Sequence, residues 1–409
     1  MDTEQLRRYA RLIAVTGGGI MPGQSVVLRA GLDQPEFVLM LAEECYRAGA
    51  AEVEVEWEYQ PLAKLDNRWQ SVDTLGTVKP WQEQKLRCRA DSLPVMLYLE
   101  SADPDGLAGI DQQKRAEAMR RRYAVTKPIS DAMENRYQWC IAAVPGAGWA
   151  RKVFPGLPDG EAVERLWEAI LSCSRALDGD PAENWAQHNA FLTDRCRRLN
   201  SMGLVKLEYR SANGTDLTVG LIPEARFLGG AETNPVNGAV YNPNIPSEEV
   251  YITPRAGEAE GIVYATRPLA YRGQLIEDFW IRFEGGRAVD CGAGRNEEAL
   301  RALIAMDEGS CMLGECALVP YESPIRNSGI MFYNTLFDEN AACHLALGRG
   351  YTSNIRNYGS YTLDELRAMG VNDSMVHEDF MIGSADLAVT GIRATGERVP
   401  IFTDGGWAF

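Results

Sequence analysis

Three consecutive stretches near the N-terminus constrain the fold most. SVVLRA (25–30) is a short apolar run after the turn MPGQ. PEFVLMLAEECYRA (35–48) carries apolar residues at helical spacing and stops at Gly49, and AEVEVEWEY (51–59) alternates apolar with acidic residues. Strand, helix, strand in this order predicts two parallel strands, because a parallel pair needs a crossover whereas an antiparallel pair needs only a tight turn. PVMLYLES (94–101) and WCIAAVPG (139–146) extend the same sheet, and helices are expected at 5–15, 112–123, 160–177 and 184–200.

After Asn200 the texture changes. VKLEYR, TDLTVGL, EEVYITP, GIVYATRPL and DFWIRFEGGRAVDCG read as short strands separated by turn residues, with fewer helices, chiefly at 296–306 and 362–369. A chain of 409 residues is long for one core. The expected architecture is an α/β N-terminal domain with a parallel sheet over 1–205, and a strand-rich α+β C-terminal catalytic domain over 206–409.

Bulk properties exclude several functions. A net charge of −16 argues against a nucleic-acid partner and against a polybasic membrane anchor. No apolar run approaches the length of a membrane span, and MDTEQLRRYARLI reads as an amphipathic helix start rather than a secretory signal. Nine cysteines without a C-x-x-C pair read as reduced thiols in a cytoplasmic protein. There is no Walker A sequence, HEDF (377–380) is not H-E-x-x-H, and no G-x-S-x-G elbow occurs. The glycines of GGGIMPG (17–23) read as a loop.

The chain has three histidines, His188, His344 and His377. His344 stands inside the apolar run of NTLFDENAACHLALGRGY (334–351), five residues after Glu339. On a regular helix five residues span roughly 140°, too wide for one face, so Glu339 and His344 lie on different elements or serve different metals. A lone histidine in such surroundings is usually a hydrogen-bonded core residue. In LGECALVP (313–320), strand alternation puts Leu313, Glu315, Ala317 and Val319 on one face. A carboxylate there needs a cation or strong donor, unless Gly314 bends the strand and turns Glu315 to solvent. In HEDFMIGS (377–384), His377 and Asp379 point the same way if extended, a natural ligand pair, although an isolated H-x-D is more often a strand end. In NIPSEEVYITP (244–254), Glu248 and Glu249 point to opposite sides, so one of them can face inward. Two histidines and the carboxylates Glu249, Glu315, Glu339 and Asp379 form a mixed N/O set that suits zinc, cobalt or manganese. Two divalent cations would neutralise the four negative charges.

These segments, together with PLAYRGQLIEDFWIRFEGGRAV and MDEGSCMLGECALVPYESPI, resemble in order and spacing the thermophilic-type metalloaminopeptidases of peptidase family M29. The likeness runs from about residue 5 to the C-terminus and is weakest across 60–135. It implies a two-domain aminopeptidase acting on short peptides, with a co-catalytic pair of divalent metals. The implied metal ligands are Glu249, Glu315, Glu339, His344, His377 and Asp379. Tyr351 matches a tyrosine beside the metals, and Glu315 is the expected bridging ligand. The resemblance further implies a homodimer with enclosed active sites. Two rival readings remain. The scaffold also resembles single-Fe(II) ring-cleaving dioxygenases, which would draw on His344, His377 and Asp379. A non-catalytic peptide- or metal-binding protein is the other.

Overall fold

The computed structural model describes residues 1–409, and the chain divides into two compact units. The first comprises Met1–His188 and Ala231–Ser247; the second comprises Asn189–Gly230 and Glu248–Phe409.

The first unit is built on a five-stranded sheet in the order Glu52–Glu58, Ser25–Gly31, Val95–Glu100, Trp139–Ala143, Asn244–Ile245. Every pairing is parallel, as the strand–helix–strand pattern requires. The central strands are buried at Leu28, Leu97 and Cys140, whereas the alternating Glu52–Glu58 strand lies at the edge. Its acids are answered there by Lys85 and Arg89, a charged rim that discourages pairing with another edge. Tyr9, Trp149, Leu166 and Ile170 come from the flanking helices and are fully or almost fully buried. No helix is long and apolar enough to cross a membrane.

The second unit holds two large antiparallel sheets and a two-stranded hairpin, Leu269–Tyr271 with Gln274–Ile276. The larger has eight strands, among them Leu204–Arg210, Asp216–Leu221, Pro254–Tyr264, Trp280–Glu284 and Ala388–Arg393. The smaller has four, in the order Val250–Ile252, Leu313–Leu318, His344–Gly348, His377–Met381. Leu207, Leu217 and Val219 of the larger sheet join one apolar cluster with Val250, Leu345 and Phe380 of the smaller. Burying one face of the small sheet in this way leaves its opposite face free for polar chemistry.

Candidate metal centre

Strand register builds the site. Residues directly opposite one another in an antiparallel sheet project to the same side. Glu315 pairs with Ala346, and Ala346 with Asp379; Ala317 pairs with His344, and His344 with Met381; Gly348 pairs with His377. One face thus carries Glu315, His344, His377 and Asp379 with alanines and glycine between them. The other carries Cys316, Leu318, Leu345, Leu347 and Phe380 into the core. Because Ala346 separates Glu315 from Asp379, nothing bulky stands between their carboxyl groups.

Leu313 departs from the expected alternation. The register shifts between Leu313 and Glu315, leaving Gly314 as the extra residue of a bulge, and Leu313 turns into the apolar cluster instead of sharing the face of Glu315. The bulge does not expose Glu315, which is 3% accessible. Only glycine fits at its corner: a Cβ on Gly314 would lie 2.3 Å from the Arg349 carbonyl oxygen and 2.4 Å from that of Gly348.

The remaining acids arrive from strand and helix ends. Glu249 immediately precedes the Val250–Ile252 strand and is buried. Glu339 closes the short helix Thr335–Glu339, and His344 opens the next strand. The five-residue spacing is therefore a helix end, a turn and a strand start.

The donors fall into two tight groups. Ligand atoms of Glu249, Glu315 and His344 all lie within 4.8 Å of one another, and so do those of Glu315, His377 and Asp379. Glu315 belongs to both. His344 Nε2 is 3.1 Å from Glu249 Oε2; His377 Nε2 is 3.0 Å from Glu315 Oε2 and 3.5 Å from Asp379 Oδ1. Each imidazole is oriented from behind, His344 Nδ1 onto the Ala342 carbonyl (3.1 Å) and His377 Nδ1 onto the Arg349 carbonyl (2.7 Å). A carbonyl only accepts, so each Nδ1 carries a hydrogen and each Nε2 faces the carboxylates, the arrangement found behind metal-bound histidines. Glu339 stands outside both tight groups but within electrostatic reach of Asp379, Glu249, His344 and Glu315.

The electrostatics show an excess of negative charge. Burial first, then the charges of Glu249 and Asp379, push Glu315 up to about 7 against its bond to His377. Burial and the charges of Asp379 and Glu249 hold Glu339 well above the usual carboxylate range. Burial alone would lower both histidines. The bond to Glu249 instead raises His344 to about 10, and Asp379 with Glu315 raises His377 well above its ordinary value. Asp379, which burial alone would raise, is drawn below its usual range chiefly by the charge of His377. The cluster demands more positive charge than two imidazoles supply. Asp379 Oδ1 is buried and accepts no hydrogen bond. A buried carboxylate oxygen answered only by the His377 ring nitrogen at 3.5 Å, in a mixed imidazole–carboxylate set, fits a divalent cation.

Tyr351 overlooks this face. Its hydroxyl is 3.0 Å from His377 Nε2, and its ring meets Tyr251 edge-on at 5.5 Å. Thr253 fixes the backbone by accepting from the Tyr351 amide at 2.8 Å. The ring is partly exposed, but its inward hydroxyl is held well above the ordinary phenol range by burial and by the charges of Glu315 and Asp379, so it stays a donor.

Sequence reasoning passed over Asn340 and Asp338. Fully buried Asn340 accepts from the Glu248 amide at 2.7 Å and donates to Glu339 at 3.2 Å and to the Leu336 carbonyl at 2.9 Å. It ties the segment bearing Glu249 to the helix bearing Glu339. Asp338 accepts from the Phe332 and Asn334 amides and faces Arg267 at 3.8 Å, pinning that helix from behind. The one available signal was an amide and a second acid flanking Glu339 in DEN, and neither has a spacing that marks it. His188 lies elsewhere, bonded to the Ser247 carbonyl at 2.7 Å and set edge-on to Trp185, as a core histidine would be.

Two imidazoles and buried carboxylates gathered on one sheet face define a candidate metal centre. The family model for the thermophilic metalloproteases (M29) matches residues 2–407, and the chain belongs to that family. Aminopeptidase AmpS of Bacillus subtilis is 38% identical over 408 residues, covering 100% of this chain and 99% of AmpS. Aminopeptidase T of Thermus thermophilus is 38% identical with 98% of each chain covered. The solved structure of wild-type AmpT from Thermus thermophilus superposes with a TM-score of 0.90 at 37% identity, covering 99% of each chain. A 2,5-dihydroxypyridine dioxygenase from Pseudomonas putida shares the fold at a TM-score of 0.52 and 11% identity, over 99% of this chain and 96% of its own.

Proposed function

We propose that this metallopeptidase is an aminopeptidase that releases N-terminal residues from short peptides, using two divalent ions held by Glu249, Glu315, Glu339, His344, His377 and Asp379. The observation that carries the reading is the pair of donor groups sharing Glu315, which gives two adjacent sites with one common carboxylate. Glu315, common to both groups, would be the carboxylate held in common by the two ions, with Glu249 and His344 on one side and His377 and Asp379 on the other. Zinc, cobalt and manganese suit this donor set. Bound there, the ions supply Lewis acidity to the scissile carbonyl and acidify the attacking water.

The protein's own groups complete the reaction. Tyr351, neutral and aimed inward, donates a hydrogen bond to the oxyanion as the carbonyl becomes tetrahedral. The acids of the face attract the protonated N-terminus, which gives exopeptidase selection, and one of these carboxylates relays the proton to the leaving amine. A homodimer with enclosed sites, in the cytoplasm, belongs to the same reading.

The dioxygenase reading rests on shared fold alone. A single Fe(II) held by His344, His377 and Asp379 would leave Glu249, Glu315 and Glu339 outside its ligands, which the crowded charge of this face disfavours. A non-catalytic binding role leaves the inward Tyr351 hydroxyl without a purpose. The test is hydrolysis of aminoacyl-anilides and dipeptides by protein stripped of metal and reloaded with zinc, cobalt, manganese or ferrous iron. Cleavage restored by one of the first three supports the proposal; no cleavage with any metal overturns it.

A further inference from the structure

A small recess opens beside Glu339 and Asp379. Pro268, Leu269, Ala270, Thr335 and Met381 wall it together with these acids. Met381 belongs to the same sheet face, opposite His344. Leu269 and Ala270 come from a hairpin in which Leu269–Tyr271 pairs with Gln274–Ile276. The two walls are bound together: the Thr266 amide donates to the Met381 carbonyl at 2.8 Å, and the Thr266 hydroxyl donates to the Gly383 carbonyl at 2.8 Å. Leu269 and Met381 are each 3% accessible and give the recess one apolar side. Asp338 also reaches the lining, but its carboxylate is turned to the Phe332 and Asn334 amides and to Arg267.

We propose that this recess receives the side chain of the substrate's N-terminal residue and selects compact aliphatic ones. The inference rests on the aminopeptidase reading. In such an enzyme the terminal amine lies at the acidic groups and the scissile carbonyl lies one carbon away. The α-carbon joins them, so its side chain must leave from a point within two bonds of the amine. A recess lined by Glu339 and Asp379 on one side and by Leu269, Ala270 and Met381 on another lies at that position. As it stands the recess is narrow, with room for about one water-sized group. A methyl group enters directly, and a branched aliphatic chain enters with adjustment of the unbranched Met381. An aromatic ring collides with Leu269 and Ala270, and an acidic side chain meets the carboxylates at the rim.

The experiment compares wild type, Met381→Ala and Ala270→Leu on the p-nitroanilides of alanine, leucine, phenylalanine and glutamate, each protein loaded with the same metal. Ratios of kcat/KM are read, because a partly inactive preparation cancels from a ratio. Wild type should favour alanine and leucine over phenylalanine and glutamate. Met381→Ala should raise the phenylalanine-to-alanine ratio, and Ala270→Leu should lower the leucine-to-alanine ratio, each by about tenfold or more, the scale of a methylene-sized change in an apolar pocket. Thermal stabilisation by free alanine, leucine and phenylalanine should show the same order as an equilibrium readout. An active wild type that prefers phenylalanine or glutamate overturns the pocket assignment. Unchanged ratios in both variants overturn it as well, and the aminopeptidase reading stands in either case. A wild type that hydrolyses none of the four refutes that reading, and the pocket falls with it.

Discussion

Replacing Gly314 by alanine should disable the site while leaving the fold in place. The new Cβ would lie 2.3 Å from the Arg349 oxygen, 2.4 Å from the Gly348 oxygen and 2.5 Å from the Arg349 carbonyl carbon, all backbone atoms that no rotamer change can remove. Contacts of this kind below 3.0 Å are essentially never seen, so the strands must part by at least 0.7 Å (3.0 − 2.3 Å) at this point. Glu315 is the next residue, and Arg349 supplies the carbonyl that orients His377, so the displacement passes into both donor groups. A misplacement near 1 Å costs about 100-fold in rate, whereas overpacking costs about 1–3 kcal/mol of stability, which a core of this size absorbs. The assay is kcat/KM on alanyl-p-nitroanilide, with bound metal counted and folding checked by far-ultraviolet dichroism and a cooperative melt. Gly160→Ala, where nothing lies within 4 Å of the added Cβ, is the silent control. A folded Gly314→Ala protein with wild-type turnover refutes the argument that the bulge positions Glu315.

Glu315→Gln should abolish turnover with the dichroism spectrum unchanged and bound metal reduced; near-normal turnover removes Glu315 from the bridging role. Tyr351→Phe should lower kcat about 10²–10³-fold with little change in KM, because the hydroxyl acts on the transition state; an equal rise in KM with kcat intact assigns it to substrate binding instead. Asn340→Ala strands the buried Glu248 amide and frees Glu339, so we expect a stability loss of about 1–3 kcal/mol and metal affinity weakened about 10–100-fold, read by denaturant titration and calorimetry. Asp386, held below its usual range by the Ser384 hydroxyl, the Ala212 amide and the Ser211 hydroxyl, stabilises the protein above its unfolded pKa. That contribution disappears as the pH falls through the depressed value. Asp386→Asn should therefore melt below wild type at neutral pH and converge with it in acid; a constant difference across the range contradicts this.

Much of the first unit was legible because its buried strands are short apolar runs bounded by turns, its edge strand Glu52–Glu58 alternates, and its crossover helix repeats with period 3.6. The helices Gln60–Trp69, Val72–Gly76 and Pro80–Ser92 were not expected. Leu62, Leu65, Trp69 and Trp81 stay exposed, so the first and third of these helices bury no apolar stripe that the sequence would have advertised. The helix Gln112–Met133 outruns its expected end at residue 123 and passes through Pro128. A proline forfeits one donor and strains one turn, a cost that local signals weigh more heavily than the folded chain does.

The sequence by itself determined the chemistry on offer: imidazoles and carboxylates embedded in apolar strands, where their burial had to be answered by a cation or by hydrogen bonds. It also determined that His377 and Asp379 share a side, since side chains alternate along any strand. Tertiary structure decided which of these groups meet. Pairing register places Ala346 between Glu315 and Asp379 and aligns Gly348 with His377, and a one-residue slip of any of these strands would turn that strand's donors toward the core. The Gly314 bulge, the Asn340 tie between Glu248 and Glu339, and the recess under Leu269 and Met381 join residues far apart in the chain, and no local periodicity encodes a contact made across that distance.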